Sequence, residues 1–442
     1  MNTSARTVAL AALMAYRRQG IFAEDALRDK ITDANLDLRE AALANRLCYG
    51  VMQNMALLDF YISQYAGRPI KAFEPKILDI LRLGAYQLTH LDRIAPHAAV
   101  SESVEMAGQA RARAKGLVNA VLRRIAENRH DLPEPPGRAD DPLAYLAVKY
   151  SHPAPLVKLF ADEIGIADTE SLLQANNAES ALYAQTNTLR TDTESLLTDL
   201  QNADISAQRH PWLDDCLIFS GAKRFYQEPL FQGGAFYIQD PAARLAVLLA
   251  DPKPGSRLLD ACAAPGGKSF AAAIQMQNSG EILACDIAAK KLPQIEEGAR
   301  RLGLSAIKAQ TADARTADFG GEFDTVIVDA PCSGLGVIRK KPEIRYKNLA
   351  EIARLPEIQL AILQNAARQV AVGGVLSYCT CTILERENMG VVNVFLDTAK
   401  DFVLESFLLP GKWGTAAKGH ITLYPHIHDT DGFFICKLRR AA

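Results

Sequence analysis

Residues 257–269 of this 442-residue chain read Arg257-Leu-Leu-Asp-Ala-Cys-Ala-Ala-Pro-Gly-Gly-Lys-Ser269. An apolar strand runs into small residues and two glycines, which let a backbone approach a ligand closely, and the amides of a following helix face the same place. The spacing is not the G-x-G-x-x-G of dinucleotide binders, and no G-x-x-x-x-G precedes Lys268 as in a Walker A loop. The stretch therefore predicts a strand, turn and helix that hold a ligand other than a nicotinamide cofactor.

Short apolar runs continue after this stretch and alternate with helical segments. The predicted strands are 257–261, 281–286, 306–310, 325–329 and 375–379. Alternation of strand and helix predicts a mostly parallel, doubly wound sheet, the layout of a Rossmann-like fold.

Acidic residues lie at the ends of the first four predicted strands: Asp260, Asp286, Asp313 and Asp329. Ligands of such sheets bind beyond the carboxyl ends of the strands, so these side chains should converge. We expect Asp286 to accept hydrogen bonds from ribose hydroxyls and Asp313 to contact an adenine amino group. Any one of these acids is more simply explained as a helix cap, but four in succession favour a cofactor site.

Two cysteines follow the fourth and fifth predicted strands, Cys332 in Asp329-Ala-Pro-Cys-Ser-Gly334 and Cys381 after Thr380. Both should lie at the same edge of the sheet as the acids. Cytosine C5 becomes nucleophilic when a thiolate adds to C6, and a base must then remove the C5 proton before the thiol can leave. Cys381, Asp329 and Cys332 can serve as nucleophile, as acid near N3 and as proton acceptor. Lys268 can help to hold a thiolate or align the base.

The other cysteines are interpreted as structural. Cys262 is expected to contribute its backbone, and Cys379 to face the opposite side of its strand from Cys381. Cys379 and Cys381 could form a zinc site with His426 and His428, but the spacing is not that of a zinc finger, so no metal is expected. Four cysteines have the character of small buried hydrophobes: Cys48, Cys216, Cys285 and Cys436.

Composition indicates a soluble globular protein, with 49% apolar and 23% charged residues. The net charge of -2 weighs against a general polyanion binder, although local basic clusters can still hold RNA. No membrane span is expected, and the apolar run 8–16 predicts an amphipathic helix rather than a signal peptide. The scattered cysteines form no disulfide framework, which favours reduced thiols and a cytoplasmic location.

The pattern of the sequence changes three times, which predicts several domains. Residues 1–130 have apolar residues at helical spacing and predict an all-helical domain. Residues 131–142, rich in proline and acid, predict a linker. Residues 143–235 predict a small α/β subdomain that binds RNA, with a strand at 182–189 and a helix capped by Thr193. Residues 236–442 predict the Rossmann-like catalytic domain.

Three motifs together resemble the RNA cytosine-C5 methyltransferases of the Sun family. They are the stretch from Asp260 to Lys268, the turn from Asp329 to Gly334, and the Thr380-Cys381 pair, in the order and spacing of that family. One departure is Cys379, where serine or alanine is commoner. Residues 96–105 and 115–123 resemble helical RNA-binding domains of the NusB type, so the resemblance extends over nearly the whole chain.

The resemblance implies a methyltransferase that depends on S-adenosyl-L-methionine, with Cys381 as nucleophile, Cys332 assisting product release and Asp329 touching the base. Its implied partner is 16S rRNA, unassembled or partly assembled, with cytosine 967 as the family precedent. No obligate protein partner is expected, and nothing demands more than a monomer. The implied cofactor-binding residues are Cys262, Ala263, Ala264, Pro265, Gly266, Gly267, Lys268, Asp286, Asp313 and Asp329.

RNA contacts are predicted at two places. The basic segment (residues 339–347) holds five basic residues and Tyr346 directly after the Cys332 turn, and it predicts a phosphate track with a stacking ring, although a solvated loop is the plainer alternative. Arg123 and Arg124 are the second candidates. The target cytosine must leave its stack to reach both Cys381 and the methyl donor, so single-stranded or loosely folded RNA is the expected substrate.

Three alternatives stay open from the sequence. A cytosine-C5 methyltransferase acting on tRNA would have the same site, and one acting on DNA would use Cys332 as its nucleophile. A non-catalytic RNA-binding assembly factor could retain the fold without the activity. Methylation of a base amino group is disfavoured, because Asp329-Ala-Pro-Cys332 lacks the aromatic residue of an N/D-P-P-Y turn.

Overall fold

A computed structural model of the chain describes residues 4–19, 23–220 and 225–441. These fall into two compact units. The helical unit comprises Met1–Ala178 and Lys341–Tyr346, and the sheet unit comprises Glu179–Lys340 and Lys347–Ala442. The boundary at Ala178 lies inside the segment 143–235, so the helices before it belong to the first unit, and the strands and helices after it belong to the second.

The helical unit is built from amphipathic helices around one apolar core, as the spacing of apolar residues predicts. Helices α5, α6 and α7 pack closely at Gly84, where an added Cβ would lie 2.5 Å from Leu122 and 2.8 Å from Ser103. The α-helices are α1 (Ala5–Gln19), α2 (Ala23–Asp33), α3 (Leu38–Gln53), α4 (Met55–Ala66), α5 (Pro75–His90), α6 (Pro96–Ala110), α7 (Lys115–Glu127), α8 (Pro142–Lys149), α9 (Ala154–Ile164) and α10 (Ile166–Asn177).

The sheet unit begins with a small antiparallel sheet in the order β2-β3-β1-β4. The strand predicted at 182–189 is shorter, ending at Thr186. The helix predicted from Thr193 is present, but its cap is Asp192, whose side chain accepts a hydrogen bond from Ser195 N at 2.9 Å, so the prediction of Thr193 as cap is wrong. The elements are β1 (Leu182–Thr186), α11 (Thr193–Asn202), β2 (Ala207–Arg209), β3 (Cys216–Phe219), α12 (Pro229–Gln232) and β4 (Phe236–Ile238).

The large sheet has the order β10-β14-β9-β8-β5-β6-β7, with β13 paired to β14. Strands β9, β8, β5, β6 and β7 are parallel, and the strands at the β14 side are antiparallel. The elements are α13 (Pro241–Ala250), β5 (Arg257–Asp260), α14 (Gly267–Gln275), β6 (Glu281–Asp286), α15 (Leu292–Leu302), β7 (Ile307–Thr311), β8 (Phe323–Asp329), α16 (Leu349–Ile352), α17 (Leu355–Ala367), β9 (Val370–Thr380), α18 (Met389–Thr398), β10 (Phe402–Leu404), β11 (Phe407–Leu408), β12 (Thr415–Ala416), β13 (His420–Leu423), α19 (Pro425–His428) and β14 (Phe433–Arg440).

Helices cover both faces of the large sheet, which confirms the predicted doubly wound, Rossmann-like layout. Apolar residues of α13, α14 and α15 form one core with the first face. Apolar residues of α17 and α18 form a second core with the other face. Because β5, β6, β7, β8 and β9 run in parallel, their carboxyl ends meet at one edge. None of the helices in the described ranges is long and apolar enough to cross a lipid bilayer.

Candidate active site

The turn after β5 is held against the neighbouring strands by its backbone. Ala261 N donates to Ile327 O at 2.9 Å and Ala263 N donates to Cys285 O at 2.7 Å. Gly266 has a φ of +110°, and an added Cβ there would lie 2.6 Å from the ring of Phe270. The turn therefore requires glycine where it enters α14. Small residues and this tight turn leave the cleft beside it open.

Asp260 does not face that cleft. The side chain is fully buried and accepts a hydrogen bond from Ser269 Oγ at 2.7 Å, which ties β5 to α14. Burial raises the pKa of Asp260 to about 6, since the interior disfavours the charged form. The expectation that four strand-end acids converge is therefore wrong for Asp260.

A cleft of about 460 Å³ lies at the carboxyl edge of the parallel strands. Its volume suits a ligand of nucleoside size. Of the predicted cofactor residues, five line the cleft: Cys262, Ala264, Asp286, Asp313 and Asp329. Ala263, Pro265, Gly266, Gly267 and Lys268 form the turn and the start of α14 behind it.

Asp286 and Asp313 are both oriented by hydrogen bonds from neighbouring residues. Asp286 accepts from Ala288 N at 2.8 Å through Oδ1 and from Ala264 N at 3.3 Å through Oδ2, so it also fixes the turn after β5. Asp313 forms a two-point ion pair with Arg315, at 2.9 Å from Nε and 2.6 Å from Nη2. The hydrogen bonds from Arg315 lower the pKa of Asp313, which keeps this carboxylate charged. Each acid can accept further hydrogen bonds from a ligand in the cleft.

Lys268 and Asp329 form a close ion pair, with Nζ 2.6 Å from Oδ2. Burial by itself lowers the pKa of Lys268, but the attraction of Asp329 outweighs it and the net shift is upward. The lysine therefore stays protonated although it is almost completely buried. Asp329 is about one third exposed and reaches the cleft, so the pair presents a charged hydrogen-bonding group at its edge.

Cys332 and Cys381 come together as the topology predicts, with their Sγ atoms 3.1 Å apart. Cys381 N also donates to Cys332 Sγ at 3.2 Å, and both cysteines line the cleft. The hydrogen bond with Cys381, together with burial, raises the pKa of Cys332 well above its ordinary value. The raised pKa favours the thiol form of Cys332.

The remaining cysteines are in the places expected for packing. Cys379 is completely buried, and its Sγ lies 3.8 Å from Asp329 Oδ1. Cys48, Cys216, Cys285 and Cys436 are also buried, as predicted. Within the described part of the chain, no three His, Cys, Asp or Glu side chains are arranged to hold a metal ion.

A buried polar network behind the two cysteines was not predicted. Its centre is Glu387, which is 0% exposed and contacts the residues that follow Cys332 and Cys381. Gln359 and Asn388 complete the network and are also buried. The only signal in the sequence was a cluster of polar residues, Glu385-Arg-Glu-Asn388, shortly after Cys381. Apolar cleft residues were missed as well, among them Ile287, Ile358 and Ile362.

Most of the basic segment is not available to phosphates, so its prediction as an RNA track is wrong. Arg345 is 1% exposed and donates to Gln53 O at 2.9 Å, Ser151 O at 3.0 Å and Asn177 Oδ1 at 3.0 Å. Tyr346 donates its hydroxyl to Met52 O at 2.9 Å.

The other basic residues of this segment belong mostly to ion pairs of the protein. Lys340 bridges Asp240 at 2.5 Å and Asp431 at 2.8 Å, and Arg339 is buried. Lys341 and Lys347 are exposed. Arg123 and Arg124, the other predicted RNA contacts, are exposed on α7, and they stay predictions.

The glycine turn, the strand-end acids and the parallel sheet together define a Rossmann-like domain with a ligand cleft at the carboxyl edge of its sheet. The comparisons with known proteins agree over the whole chain. Residues 246–439 match the family described as 16S rRNA methyltransferase RsmB/F, residues 3–127 match the NusB family, and residues 152–225 match the ferredoxin-like domain of RsmF/B-like methyltransferases. The predicted order of a NusB-like domain, a small α/β domain and a catalytic domain is thereby confirmed.

Relatives and solved structures extend this likeness to full length. The chain is 36% identical to the probable ribosomal RNA small subunit methyltransferase B of Bacillus subtilis, with 99% of both proteins covered. It is 32% identical to the ribosomal RNA small subunit methyltransferase B of Sodalis glossinidius, over 92% of this chain and 91% of that protein. The crystal structure of PH0851 has a TM-score of 0.79 at 26% identity and covers 99% of the chain and 98% of its own.

NSun6 from Pyrococcus horikoshii, solved with SFG, shares the fold with a TM-score of 0.60 at 24% identity, over 66% of this chain and 98% of its own. The chain therefore belongs to the ribosomal RNA small subunit methyltransferase B family. It is an rRNA methyltransferase.

Proposed function

We propose that this protein transfers a methyl group from S-adenosyl-L-methionine to C5 of a cytosine in 16S rRNA, cytosine 967 by the family precedent. The reaction passes through a covalent bond between Cys381 and C6 of the base. The observation that carries this proposal is the pair of thiols 3.1 Å apart at the cleft, next to the ion pair of Lys268 and Asp329. A base in the cleft can meet all three chemical groups at once.

The side chains that line the cleft fit S-adenosyl-L-methionine, which supplies the methyl group when bound. The carboxylate of Asp286 suits hydroxyl groups of a ribose, and the carboxylate of Asp313 suits an amino group. The apolar side chain of Ile287 is 63% exposed beside Asp286 and offers a flat surface for a purine. Cys262 to Lys268 bring a narrow backbone turn and the amino end of α14 to the same place.

Cys381 is the better nucleophile of the two cysteines. Cys332 retains its proton and can donate it in a hydrogen bond to Cys381, which favours a thiolate on Cys381. A thiolate is the reactive form of cysteine. The same geometry disfavours the DNA-type alternative, in which Cys332 would attack.

The proton and electron pair can be followed through each step. The Cys381 thiolate forms a bond to C6, and N3 accepts a proton from the pair of Lys268 and Asp329, so that electron density at C5 can take the methyl group. Once Cys381 is bonded to carbon, its negative charge no longer opposes ionisation of Cys332. Cys332 can then release its own proton to water and, as a thiolate, remove the C5 proton. The bond from C6 to Cys381 Sγ then breaks with its electron pair returning to sulfur, and N3 returns its proton to the pair of Lys268 and Asp329.

Labelled methyl transfer to unmodified, protein-free 16S rRNA tests the proposal. Wild type, Cys381→Ala, Cys332→Ala and the matched control Cys379→Ser would be compared, with nucleoside analysis and a denaturing gel for protein–RNA adducts. We expect 5-methylcytidine from wild type and the control, none from Cys381→Ala, and a trapped adduct from Cys332→Ala. In Cys332→Ala the adduct forms but cannot be released.

The alternatives correspond to other outcomes of the same experiment. Label that survives in Cys381→Ala and is lost in Cys332→Ala would assign the nucleophile to Cys332. Label on tRNA or DNA in preference to rRNA would change the substrate. Absence of label on every nucleic acid, with no heat of binding for S-adenosyl-L-methionine in calorimetry, would leave a non-catalytic assembly factor.

A further inference from the structure

Glu387 lies in the turn Glu385–Glu387 that leads into α18, where its side chain is completely inaccessible to solvent. A buried carboxylate is costly unless hydrogen-bond donors compensate it. Oε2 accepts from Ser333 N at 2.8 Å and from Gln359 Nε2 at 3.0 Å, and Oε1 accepts from Thr382 Oγ1 at 3.4 Å. Among the described residues, no lysine or arginine is paired with it. Hydrogen bonds from three different segments therefore hold this side chain.

The positions of those donors connect Glu387 to both thiols. Ser333 directly follows Cys332 in the chain, and Thr382 directly follows Cys381. Ser333 Oγ also donates a hydrogen bond to Thr382 Oγ1 at 2.9 Å. One carboxylate thus holds the two cysteine-bearing turns at the residue after each sulfur.

Gln359 holds the Cys332 turn from its other side. Its Nε2 donates to Glu387 Oε2 and also to Pro331 O at 3.0 Å, and Pro331 directly precedes Cys332. Gln359 comes from α17 and is completely buried. The turn is consequently fixed both before and after its cysteine by two side chains that do not line the cleft.

Fixed spacing of the thiols matters because their targets are adjacent atoms of one ring. Cys381 must reach C6 while Cys332 reaches the proton on C5, so a small change in either turn removes one of the two contacts. Displacement of a reacting group by about 1 Å can lower a rate by roughly 100-fold. We propose that Glu387 is a positioning residue that sets the distance between the Cys332 and Cys381 sulfurs, assisted by Gln359. This inference rests on the proposed function for its catalytic consequence.

A test of thiol spacing needs no RNA and no cofactor. Dibromobimane becomes fluorescent when it bridges two nearby thiols, and bridging of Cys332 to Cys381 can be located by peptide mass analysis. Glu387→Gln keeps the size of the side chain and replaces one acceptor oxygen by a donor, which repels either Ser333 N–H or the hydroxyl of Thr382. Glu385→Gln is the matched control, because it makes the same change two residues away at an exposed position. Cys332→Ala gives the background from other thiols.

We expect Glu387→Gln to lower the bridging rate roughly 10-fold and kcat roughly 10- to 100-fold, by analogy with residues that orient catalytic ligands. The KM values for RNA and S-adenosyl-L-methionine should change less than 2-fold, since Glu387 does not line the cleft. Decay of the covalent RNA adduct should slow in parallel with kcat. Glu385→Gln should match wild type in all of these measurements.

A conservative variant distinguishes a positioning role of Glu387 from a general loss of structure. Glu387→Asp keeps the carboxylate but shortens the side chain, so it can still hold one of the two cysteine-bearing turns. The variant should therefore recover formation of the covalent RNA adduct more than its release. If Glu387→Gln bridges and turns over like wild type, the positioning role is wrong, while an inactive Cys381→Ala would still uphold the proposed function. If bridging falls but wild type makes no 5-methylcytidine, the positioning role holds and the proposed function fails. A fall in melting temperature with unchanged bridging in the folded fraction would also overturn the positioning role.

Discussion

The Cys332 turn (residues 329–334) and the basic segment (residues 339–347) follow β8 only a few residues apart. The sequence predicted the location of the first correctly and that of the second wrongly. Cys332 and Asp329 lie at the cleft, as the sequence predicts. Arg345 is instead buried among backbone carbonyls of the helical unit. A thiol beside a carboxylate at a strand end has few structural uses, whereas an arginine serves equally well as a phosphate contact or as a buried donor. A motif of residue types that rarely occur together therefore predicts a functional site better than the number of basic residues in a segment does.

The largest effect on stability should come from Arg345→Met. Several buried acceptors would lose their donor, and each one left unsatisfied costs about 1–3 kcal/mol, so we expect a loss of about 3–5 kcal/mol in the free energy of unfolding. Calorimetry of the full chain would show this as a lower melting temperature of the helical unit. Lys341→Ala, at an exposed position of the same segment, should change it by less than about 0.5 kcal/mol. An unchanged melting temperature with a raised KM for RNA would restore the sequence-based prediction of a phosphate contact.

The next effect concerns activity at the Cys332 turn. Asp329→Asn removes the charge paired with Lys268 and the group that exchanges a proton with the base, and we expect kcat to fall roughly 100- to 1,000-fold. Because the buried Lys268 loses its partner, the melting temperature should fall as well, so the rate is measured well below the unfolding transition of the variant. Single-turnover methyl transfer with saturating RNA would measure the rate. Comparable activity of Asp329→Asn and wild type would exclude Asp329 from the proton transfer.

The smallest expected effect is the pH dependence of stability that Asp260 causes, which compares a buried acid at a strand end with the acids that reach the cleft. Burial raises the pKa of Asp260 to about 6, above an ordinary value near 4 for an exposed aspartate. Its protonated form stabilises the fold below about pH 4, and that contribution is lost as pH rises through about 6. Relative to Asp260→Asn, wild type should therefore lose roughly 3 kcal/mol of unfolding free energy between pH 4 and pH 7.

Asp313→Asn provides the opposite control for that pH dependence. Hydrogen bonds from Arg315 lower the pKa of Asp313, so this acid contributes stability at neutral pH that is lost as pH falls through its folded pKa. The contribution is small because the pair is exposed to solvent. Thermal unfolding of both variants from pH 3 to pH 7 measures the two slopes. Parallel curves for wild type and Asp260→Asn would contradict a raised pKa at Asp260.

Much of the fold followed from local pattern. The predicted strand 281–286 coincides with β6, and the predicted strand 325–329 lies within β8. The helical character of the described residues up to position 130 is also confirmed. The spacing of apolar residues and the length of apolar runs are properties of short segments, so they can be recognised without knowing which other segments pack against them. The edge of the sheet where Cys332 and Cys381 meet also followed, because parallel strands place their carboxyl ends together.

Other features depended on contacts between distant parts of the chain. Asp260 ends its strand like Asp286, but Ser269 and the surrounding core take its side chain away from the cleft. Glu387 gave no sign of its role, since its partners Ser333 and Gln359 lie 54 and 28 residues away.

The sequence by itself determined the class of fold, the reactive side chains and the edge of the sheet on which they lie, because these depend on residue type, period and strand direction. Only the tertiary structure decided which charges are exposed, which acids reach the cleft, and that two sulfurs stand 3.1 Å apart. Burial and hydrogen bonding depend on packing among segments far apart in sequence, and no local pattern specifies them. Arg345 and Glu387 are the clearest cases, since each has an ionisable side chain that is completely or almost completely buried and is held by partners that only the folded chain brings near.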